Sequence, residues 1–286
     1  PNLDFKIIEG DSLSNVSKNL FNQHLFKKLN ILKKDFFSLT NLEKKKSVKI
    51  QIKGLIKEIA GNSNFDYKVY FSEVFDNNEG FDIIISNPPY VQIQNFNDKE
   101  YKDMLKQNYT DTYHGNGDIY CLFFERSFNL LNANGSLIFI TSNKWLKTDY
   151  GKLLRNYLIR TGKLETIIDF KSLKIFKSAD VDTCITSINK NKDLFSPVSC
   201  LAFTKSNDNN FQKTTIEEIF NKNKVRIEKL PLNEPWTIAR QEVLKLLSKI
   251  SDLSNRLALE RNNFRMGIKT GLNKVFIIDK TTKENL

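Results

Sequence analysis

Apolar residues in this chain fall into short continuous runs separated by stretches with helical spacing, and the runs predict strands. Phe5 to Glu9 is one such run, closing on Gly10-Asp11-Ser12, and Asn15 to Lys34 then carries Val16, Leu20, Leu25, Leu29 and Leu32 at helical intervals. Phe81 to Ser86 predicts a second strand. A Pro-Pro loop follows it, then a polar stretch from Asn95 to Gly117 with one short helix around Asp98 to Lys106. Asp118 is placed to cap a helix reaching Asn132, with Ile119, Leu122, Phe123, Phe128, Leu130 and Leu131 on its buried side. Asn134-Gly135 closes that helix, and Ser136 to Thr141 reads as a third, buried strand. A helix near Tyr150 to Arg160 and strands at Leu164 to Phe170 and Val181 to Asn189 continue the alternation. Strand and helix alternating in this way predict the α/β class, with a doubly wound, mostly parallel sheet carrying helices on both faces.

After Asn189 the pattern changes. Residues 191–260 combine a strand signal at Val198 to Thr204, the polar stretch Ser206 to Asn210, the basic stretch Asn221 to Arg226 and helical spacing over Ile238 to Ile250. They read as a variable segment and linker helix, so the α/β domain is expected to occupy residues 1–190. Phe264 to Asp279 returns to Gly and strand signals, which marks residues 261–286 as the start of another domain.

Composition narrows the function classes. The chain has 286 residues, 40% of them hydrophobic and 22 of them Phe, enough for a sizeable core. No run of 18 or more apolar residues occurs, and Pro1-Asn2-Leu3-Asp4 lacks the basic and apolar regions of a signal peptide, so a soluble intracellular protein is expected. Cys121, Cys184 and Cys200 lie far apart without a CxxC pair, and His24 and His114 are the only histidines. Neither a disulfide framework nor a metal centre is indicated. Lys plus Arg number 44 against 33 Asp plus Glu, leaving +11, a balance that suits a polyanionic partner.

The chemistry concentrates at Asn87-Pro88-Pro89-Tyr90, directly behind the strand Phe81 to Ser86. In an open parallel sheet, ligands bind at the carboxyl ends of strands, where Gly10-Asp11, Asn87 to Tyr90 and Ser142-Asn143 are all expected. Asn87 Oδ1 and the Pro88 carbonyl can each accept a hydrogen bond from an exocyclic amino group. Accepting both N–H bonds favours a more tetrahedral nitrogen and steers its lone pair toward an electrophile. The prolines lock φ and remove competing donors, and the Tyr90 ring offers a face for a planar group. A base held this way has left its duplex, at a cost of a few kcal/mol. No cysteine adjoins the Pro-Pro pair, which is consistent with direct transfer to an amine, since carbon-5 cytosine chemistry requires a thiolate.

Asp82 to Tyr90 resembles the catalytic motif of S-adenosylmethionine-dependent amino-methyltransferases, and its neighbours resemble the order found in adenine-N6 DNA methyltransferases. Phe65 to Phe75 is similar to the segment before this motif in large restriction-modification enzymes, of the type IIG kind, whose methylase and specificity domain share a polypeptide. Ile7 to Leu13 resembles the third motif, whose acidic residue takes the cofactor's adenine amino group, and Asp11 matches it. Asp118 to Glu125 resembles the following helix motif, with Phe123 where an aromatic ring flanks that adenine. Phe176 to Thr183 is similar to a late motif in which Phe176 would cover the second face of the extruded base. Gly267 to Phe276 resembles the entrance to the target-recognition domain.

The resemblance implies a Rossmann-like fold, S-adenosylmethionine as cofactor, double-stranded DNA with a flipped adenine as partner, and a bacterial or archaeal cytoplasm. The catalytic residues it implies are Asn87, Pro88, Pro89 and Tyr90, with Tyr90 and Phe176 stacking on the base and Asp11 and Phe123 holding the cofactor. One motif departs from the pattern. The Gly-rich turn that cradles the methionine end of the cofactor belongs before Asp11, where only ten residues stand. The chain is therefore expected to be an excerpt of a longer protein and to bind the cofactor poorly by itself. N4-cytosine offers an amine of similar geometry. Protein-glutamine and ribosomal RNA methyltransferases share Asn-Pro-Pro-Tyr, and a non-catalytic DNA-binding part of a defence complex would share the charge. The basic balance and the long loop after Tyr90 favour DNA methylation.

Overall fold

A computed structural model describes residues 4–14, 23–60, 65–171, 173, 175–176, 181–191, 197–203, 214–239 and 241–258. By chain contacts it divides into Pro1–Ala239 and Arg240–Leu286, and in the second unit the described element is the helix Gln241–Ala258.

In the first unit two antiparallel helices come first, α1 (Gln23–Ser38) and α2 (Leu42–Ala60). Phe26, Leu29 and Phe36 of α1 pack against Ile52, Leu55, Ile56 and Ile59 of α2, each set repeating at three- or four-residue intervals. Sequence reading had placed α1 but left α2 unassigned, although Val48, Ile52, Leu55 and Ile59 carry its helical spacing. The first eight residues of the expected helix Asn15 to Lys34 lie outside the described residues. Two short helices, α3 (Tyr67–Tyr70) and α4 (Ser72–Asn77), lead into strand β1 (Phe81–Ser86).

After the Pro-Pro loop come α5 (Lys99–Asn108), α6 (Tyr120–Leu130), β2 (Leu131–Ser142), α7 (Gly151–Thr161), β3 (Lys163–Asp169), β4 (Thr183–Asn189), β5 (Val198–Ala202), α8 (Ile216–Asn223) and β6 (Val225–Ile227). Asp98 caps α5 by accepting from the Tyr101 N–H at 3.0 Å. Asp118 does not cap α6. Its carboxylate accepts instead from the Tyr150 hydroxyl at 2.7 Å. The helix ends at Leu130, earlier than the sequence suggested, and β2 begins with the next residue. The Asn132-to-Gly135 stretch is absorbed as an irregularity in the register between Phe81 and Ile83. Gly135 is required there, since a Cβ would lie 2.7 Å from the Phe81 carbonyl oxygen.

The sheet order is β1-β2-β4-β3-β5-β6. β1 runs parallel to β2, and β3 parallel to β5, whereas β4 is antiparallel to β2 and β3 and β6 is antiparallel to β5. The α/β class stands, but among the described strands the sheet is mixed rather than mostly parallel. β3 reaches β4 without a described crossover helix, and a strand reached that way can return beside its predecessor antiparallel.

Alternate residues point to opposite faces. Ile167, Cys184, Ile188 and Cys200 face the main core, built with α6, α7, Trp145 and Trp236. Ile168, Ile185 and Leu201 face a second cluster with Phe170, Phe203 and Ile219. The segment assigned from sequence to a variable linker thus supplies β5, β6 and Trp236 to the same sheet and core. Trp236 donates its backbone N–H to the Leu146 carbonyl at 2.7 Å and its ring meets Trp145 edge-on at 5.6 Å. The expected run Phe5 to Glu9 is not a strand: it forms a turn followed by irregular chain and joins no described strand. Phe5 takes a left-handed φ of 60° and packs its ring edge-on against Phe36.

Trp236→Ala should lower the unfolding free energy by about 3–5 kcal/mol in chemical denaturation. A loss below about 1 kcal/mol would show that residues 214–239 do not belong to the folded core.

Candidate active site

The parallel strands β1, β2, β3 and β5 all end at one rim of the sheet, which carries Asn87 to Tyr90, Asn143, Asp169 and Phe203. Asn87 leaves β1 with an exposed side chain, and its amide has no hydrogen-bond partner among the described residues. Pro88 is buried, Pro89 exposed and Tyr90 half-buried. Both ends of the loop are tethered. On the β1 side, Ser86 pairs with Phe139. On the other side, Ile119 N–H donates to the Val91 carbonyl at 2.8 Å and Ile93 N–H to the Gly117 carbonyl at 2.9 Å. With both prolines fixing φ between those tethers, the loop is preorganised before any ligand arrives.

Tyr90 donates its hydroxyl to the Ile140 carbonyl at 3.2 Å and sets its ring edge-on to Tyr120 at 5.9 Å. Burial, with a smaller contribution from Cys184, pushes its hydroxyl up to about 12, so it remains a donor at neutral pH. Behind it, the Tyr120 and Tyr150 hydroxyls lie 3.0 Å apart and Tyr150 donates to Asp118. This chain of bonds holds the wall on which Tyr90 leans.

On the same rim, Asn143 Nδ2 donates to Asp169 Oδ1 at 2.8 Å. The buried Asp169 also accepts from the Lys171 N–H at 3.0 Å and pairs with Lys171 Nζ at 2.8 Å. Lys171 is held in a left-handed conformation, φ 53°, where the chain turns away from β3. Sequence reading placed Asn143 here but missed Asp169, whose strand-end position was its only signal. Phe176 is half-buried and makes no ring contact with Tyr90 among the described residues, and residues 177–180 of its motif lie outside them.

Asp11 is exposed and, in place of a strand end, sits in a tight turn. Its Oδ1 accepts from the Leu13 N–H at 2.9 Å, and its carbonyl accepts from Ser14 Oγ at 2.8 Å. The turn is clamped from three sides. Tyr109 donates to the Leu13 carbonyl at 2.6 Å, Arg126 Nη2 to the Ser14 carbonyl at 2.8 Å, and Tyr67 to Ser12 Oγ at 3.1 Å. Arg126 also pairs at 3.4 Å with the fully buried Asp66, which caps α3 by accepting from Lys68 N–H. The Tyr101 hydroxyl is raised above its ordinary range, first by burial and then by Asp11. These clamping residues escaped the sequence reading. Arg126, one helical turn beyond Phe123 on the apolar side of α6, was the available signal.

Leu13 shares a cluster with Leu105, Tyr109 and Leu122, against which Phe123 packs. A cleft of about 280 Å³ opens between α3, α6 and the outer edge of β1, lined by Ser12, Tyr67, Ile84, Phe123, Arg126 and Leu130 among others. Asp11, next in sequence to the lining residue Ser12, and the Phe123 ring are groups of the kind that suit a purine carrying an exocyclic amine. Ile83 and Ile85 beside it are 62% and 72% exposed, so β1 contributes an uncovered apolar face. All three thiols are buried. Burial raises each, Cys184 and Cys200 to about 12, and none supplies a thiolate at neutral pH. Among the described residues no group of His, Cys, Asp and Glu is arranged to hold a metal, and no helix is long and apolar enough to cross a membrane.

Residues 8–176 match the Eco57I restriction-modification methylase family. The type II restriction enzyme and methyltransferase RM.Eco57I of Escherichia coli is 31% identical over 239 residues, which cover 79% of this chain and 23% of that enzyme. The type II methyltransferase M.BstVI of Geobacillus stearothermophilus is 28% identical over 219 residues, covering 70% of this chain and 37% of that protein. A nuclease-deletion mutant of the type ISP restriction-modification enzyme LlaGI, solved with a DNA substrate mimic, superposes with a TM-score of 0.43 at 16% identity, covering 77% of this chain and 24% of that one. The chain therefore spans well under half the length of these relatives.

Glu125, on α6 beside the clamp, is buried and accepts from Thr112 Oγ1 at 2.7 Å. Burial outweighs that bond and raises its carboxyl above the usual range. A carboxyl raised on folding costs stability above its unfolded pKa of about 4.3 and nothing well below it. Glu125→Gln keeps an acceptor for Thr112 and should raise the melting temperature at pH 7, with the gain vanishing near pH 3. An equal gain at both pH values would sink this assignment.

Proposed function

The chain belongs to the Eco57I restriction-modification methylase family, and from that premise we propose that it forms the catalytic part of a site-specific DNA methyltransferase acting on adenine N6. The observation that carries this reading is the exposed, unpartnered Asn87 amide on a loop tethered at both ends, with the half-buried Tyr90 three residues on. A side-chain acceptor with no bond to give up, carried on a tethered loop, suits an amine whose two N–H bonds must be held while its lone pair reacts.

When bound, S-adenosylmethionine supplies the electrophilic methyl group. The chain's own residues do the positioning. Asn87 Oδ1 and the Pro88 carbonyl accept the two amine N–H bonds, Tyr90 stacks on the base, and Phe176 covers its other face. Held by these two acceptors, the amine would keep its lone pair directed away from them toward the methyl donor, and its surplus proton would pass to water beside the Asn87 acceptor. Asp11 takes the cofactor's adenine amino group and Phe123 flanks that ring, at the cleft beside β1. Duplex DNA with the target adenine flipped out is the partner, in a restriction-modification or phage-defence system. Target choice would come from a recognition domain beginning within residues 261–286, beyond the described residues. Because Ile83 and Ile85 leave one side of the cleft uncovered, residues 1–286 alone should bind the cofactor weakly and transfer methyl groups poorly.

In the full protein that contains this chain, Asn87→Ala should reduce transfer of labelled methyl groups to duplex DNA by about 10²-fold or more, while DNA affinity in a gel-shift assay stays within twofold of the parent. Unchanged transfer would remove the loop from catalysis. Transfer that appears on cytosine N4 when the product nucleosides are separated would keep the chemistry and change the base.

A further inference from the structure

The helical hairpin α1–α2 is the most strongly charged part of the molecule. Residues 23–60 contain ten lysines against Asp35, Glu43 and Glu58, so this segment of 38 residues supplies +7 of the net +11. Lys45, Lys49, Lys53 and Lys57 succeed one another every four residues along α2, each about 6 Å from the next. Like charges at this spacing destabilise a helix by a few tenths of a kcal/mol per pair, so the ladder opposes the stability of the element that carries it.

Few of these lysines have partners. Lys33 is buried with its Nζ 2.7 Å from Glu73, Lys49 pairs with Asp4 at 2.5 Å, and Lys46 pairs with Glu43 at 3.3 Å across an exposed turn. Lys27, Lys28, Lys34, Lys44, Lys53 and Lys57 are exposed, and none has a carboxylate within ion-pair distance among the described residues. The hairpin is rigidly mounted: its apolar face forms one cluster with Val69, and Lys33 anchors it through Glu73 and the Tyr70 carbonyl. It stands between the Asp11 turn and the Asn87 loop in sequence, and neither site uses its lysines.

From this arrangement we infer that the α1–α2 hairpin is a docking surface for the phosphate backbone of duplex DNA, separate from the residues that handle the base. The inference rests on the methyltransferase reading for its choice of polyanion. The exposed ammonium groups without carboxylate partners, those of Lys44, Lys53 and Lys57 on α2 with Lys27, Lys28 and Lys34 on α1, stand on a stiff element, match the uniform negative charge of a duplex and carry no base-reading groups. The contact is therefore independent of sequence, and it positions DNA that the loop at Asn87 then acts on.

The test compares three forms of the 286-residue chain by fluorescence anisotropy with a short labelled DNA duplex, between about 50 and 200 mM salt. They are the parent, the triple variant Lys44→Gln/Lys53→Gln/Lys57→Gln, and a charge-matched control, Lys152→Gln/Lys222→Gln/Lys229→Gln, whose lysines are exposed on other elements. Circular dichroism confirms that each folds. The hairpin variant should weaken binding at every salt concentration and flatten the slope of log affinity against log salt by about 2.7, or about 0.9 for each lost phosphate contact. The control should keep at least two thirds of the parent slope. Equal losses in both variants, no loss in the hairpin variant, or no duplex binding by the parent would each overturn the assignment. So would binding to vesicles of anionic phospholipid that needs the hairpin lysines while duplex binding does not. None of these outcomes bears on methyl transfer, which the Asn87→Ala comparison tests separately.

Discussion

Everything at the rim depends on the parallel pairing of β1 with β2. Among the described strands β2 is the only neighbour of β1, so the register from Ile83 with Ser136 to Ser86 with Phe139 alone decides where the strand stops and Asn87 begins. A slip of one residue would turn Ile84 out of the core and bring Ile85 in, and with them would rotate the whole loop. Two features secure the register. Gly135 permits close approach at the foot of β1, and the Tyr90 hydroxyl reaches across to Ile140 of β2 at its head. The Tyr90 ring is thus anchored to the same strand whose pairing sets where Asn87 begins.

The loop and the Asp11 turn are mechanically joined, although 76 positions separate Asp11 from Asn87. Beyond Tyr90 the chain passes through the bonds linking Val91 and Ile93 to Gly117 and Ile119, and then through α5 and α6. Tyr109, the residue that ends α5, and Arg126 of α6 hold the carbonyls of Leu13 and Ser14. Arg126 is itself held by Asp66, with no water-exposed route for either charge to relax. Breaking such a pair from one side leaves a buried charge unmatched, a cost of about 3–5 kcal/mol, so the turn has one strongly preferred position. The chain that follows the Pro-Pro loop therefore also holds the Asp11 turn in place.

What the sequence made legible follows from how local each signal is. The Asn-Pro-Pro-Tyr loop, the strand before it and the helices α5, α6 and α7 carry their periodicity and turn residues within a few positions, and the structure has them within two or three residues. Asp118 failed as a helix cap because a distant partner, the Tyr150 hydroxyl, competes for its carboxylate. Phe5 to Glu9 failed as a strand because a strand needs a neighbour, which no local pattern reports. The strand signal at Val198 to Thr204 matches β5, but its segment, with β6 and Trp236, reads as linker because it lies between polar stretches, and only the pairing of Thr166 with Ser199 and the packing of Trp236 on Trp145 bring it into the core. The clamp on the Asp11 turn was out of reach for the same reason: its bonds span from 55 to 112 positions.

The chemistry at the rim asks little of ionisable groups, and the rim provides few. Tyr90 keeps its proton, and the thiols nearest the core keep theirs. Asp169 already accepts from Asn143 and Lys171 and is closed off within the fold. What remains open toward solvent is the uncharged Asn87 amide on a backbone that cannot easily move. Under the proposed reading, holding an amine needs acceptors, and the tethered backbone limits where the Asn87 amide can reach. The proposed amine site would then rely on two uncharged acceptors, the Asn87 amide and the Pro88 carbonyl, while the exposed lysines of α1 and α2 lie elsewhere in the sequence.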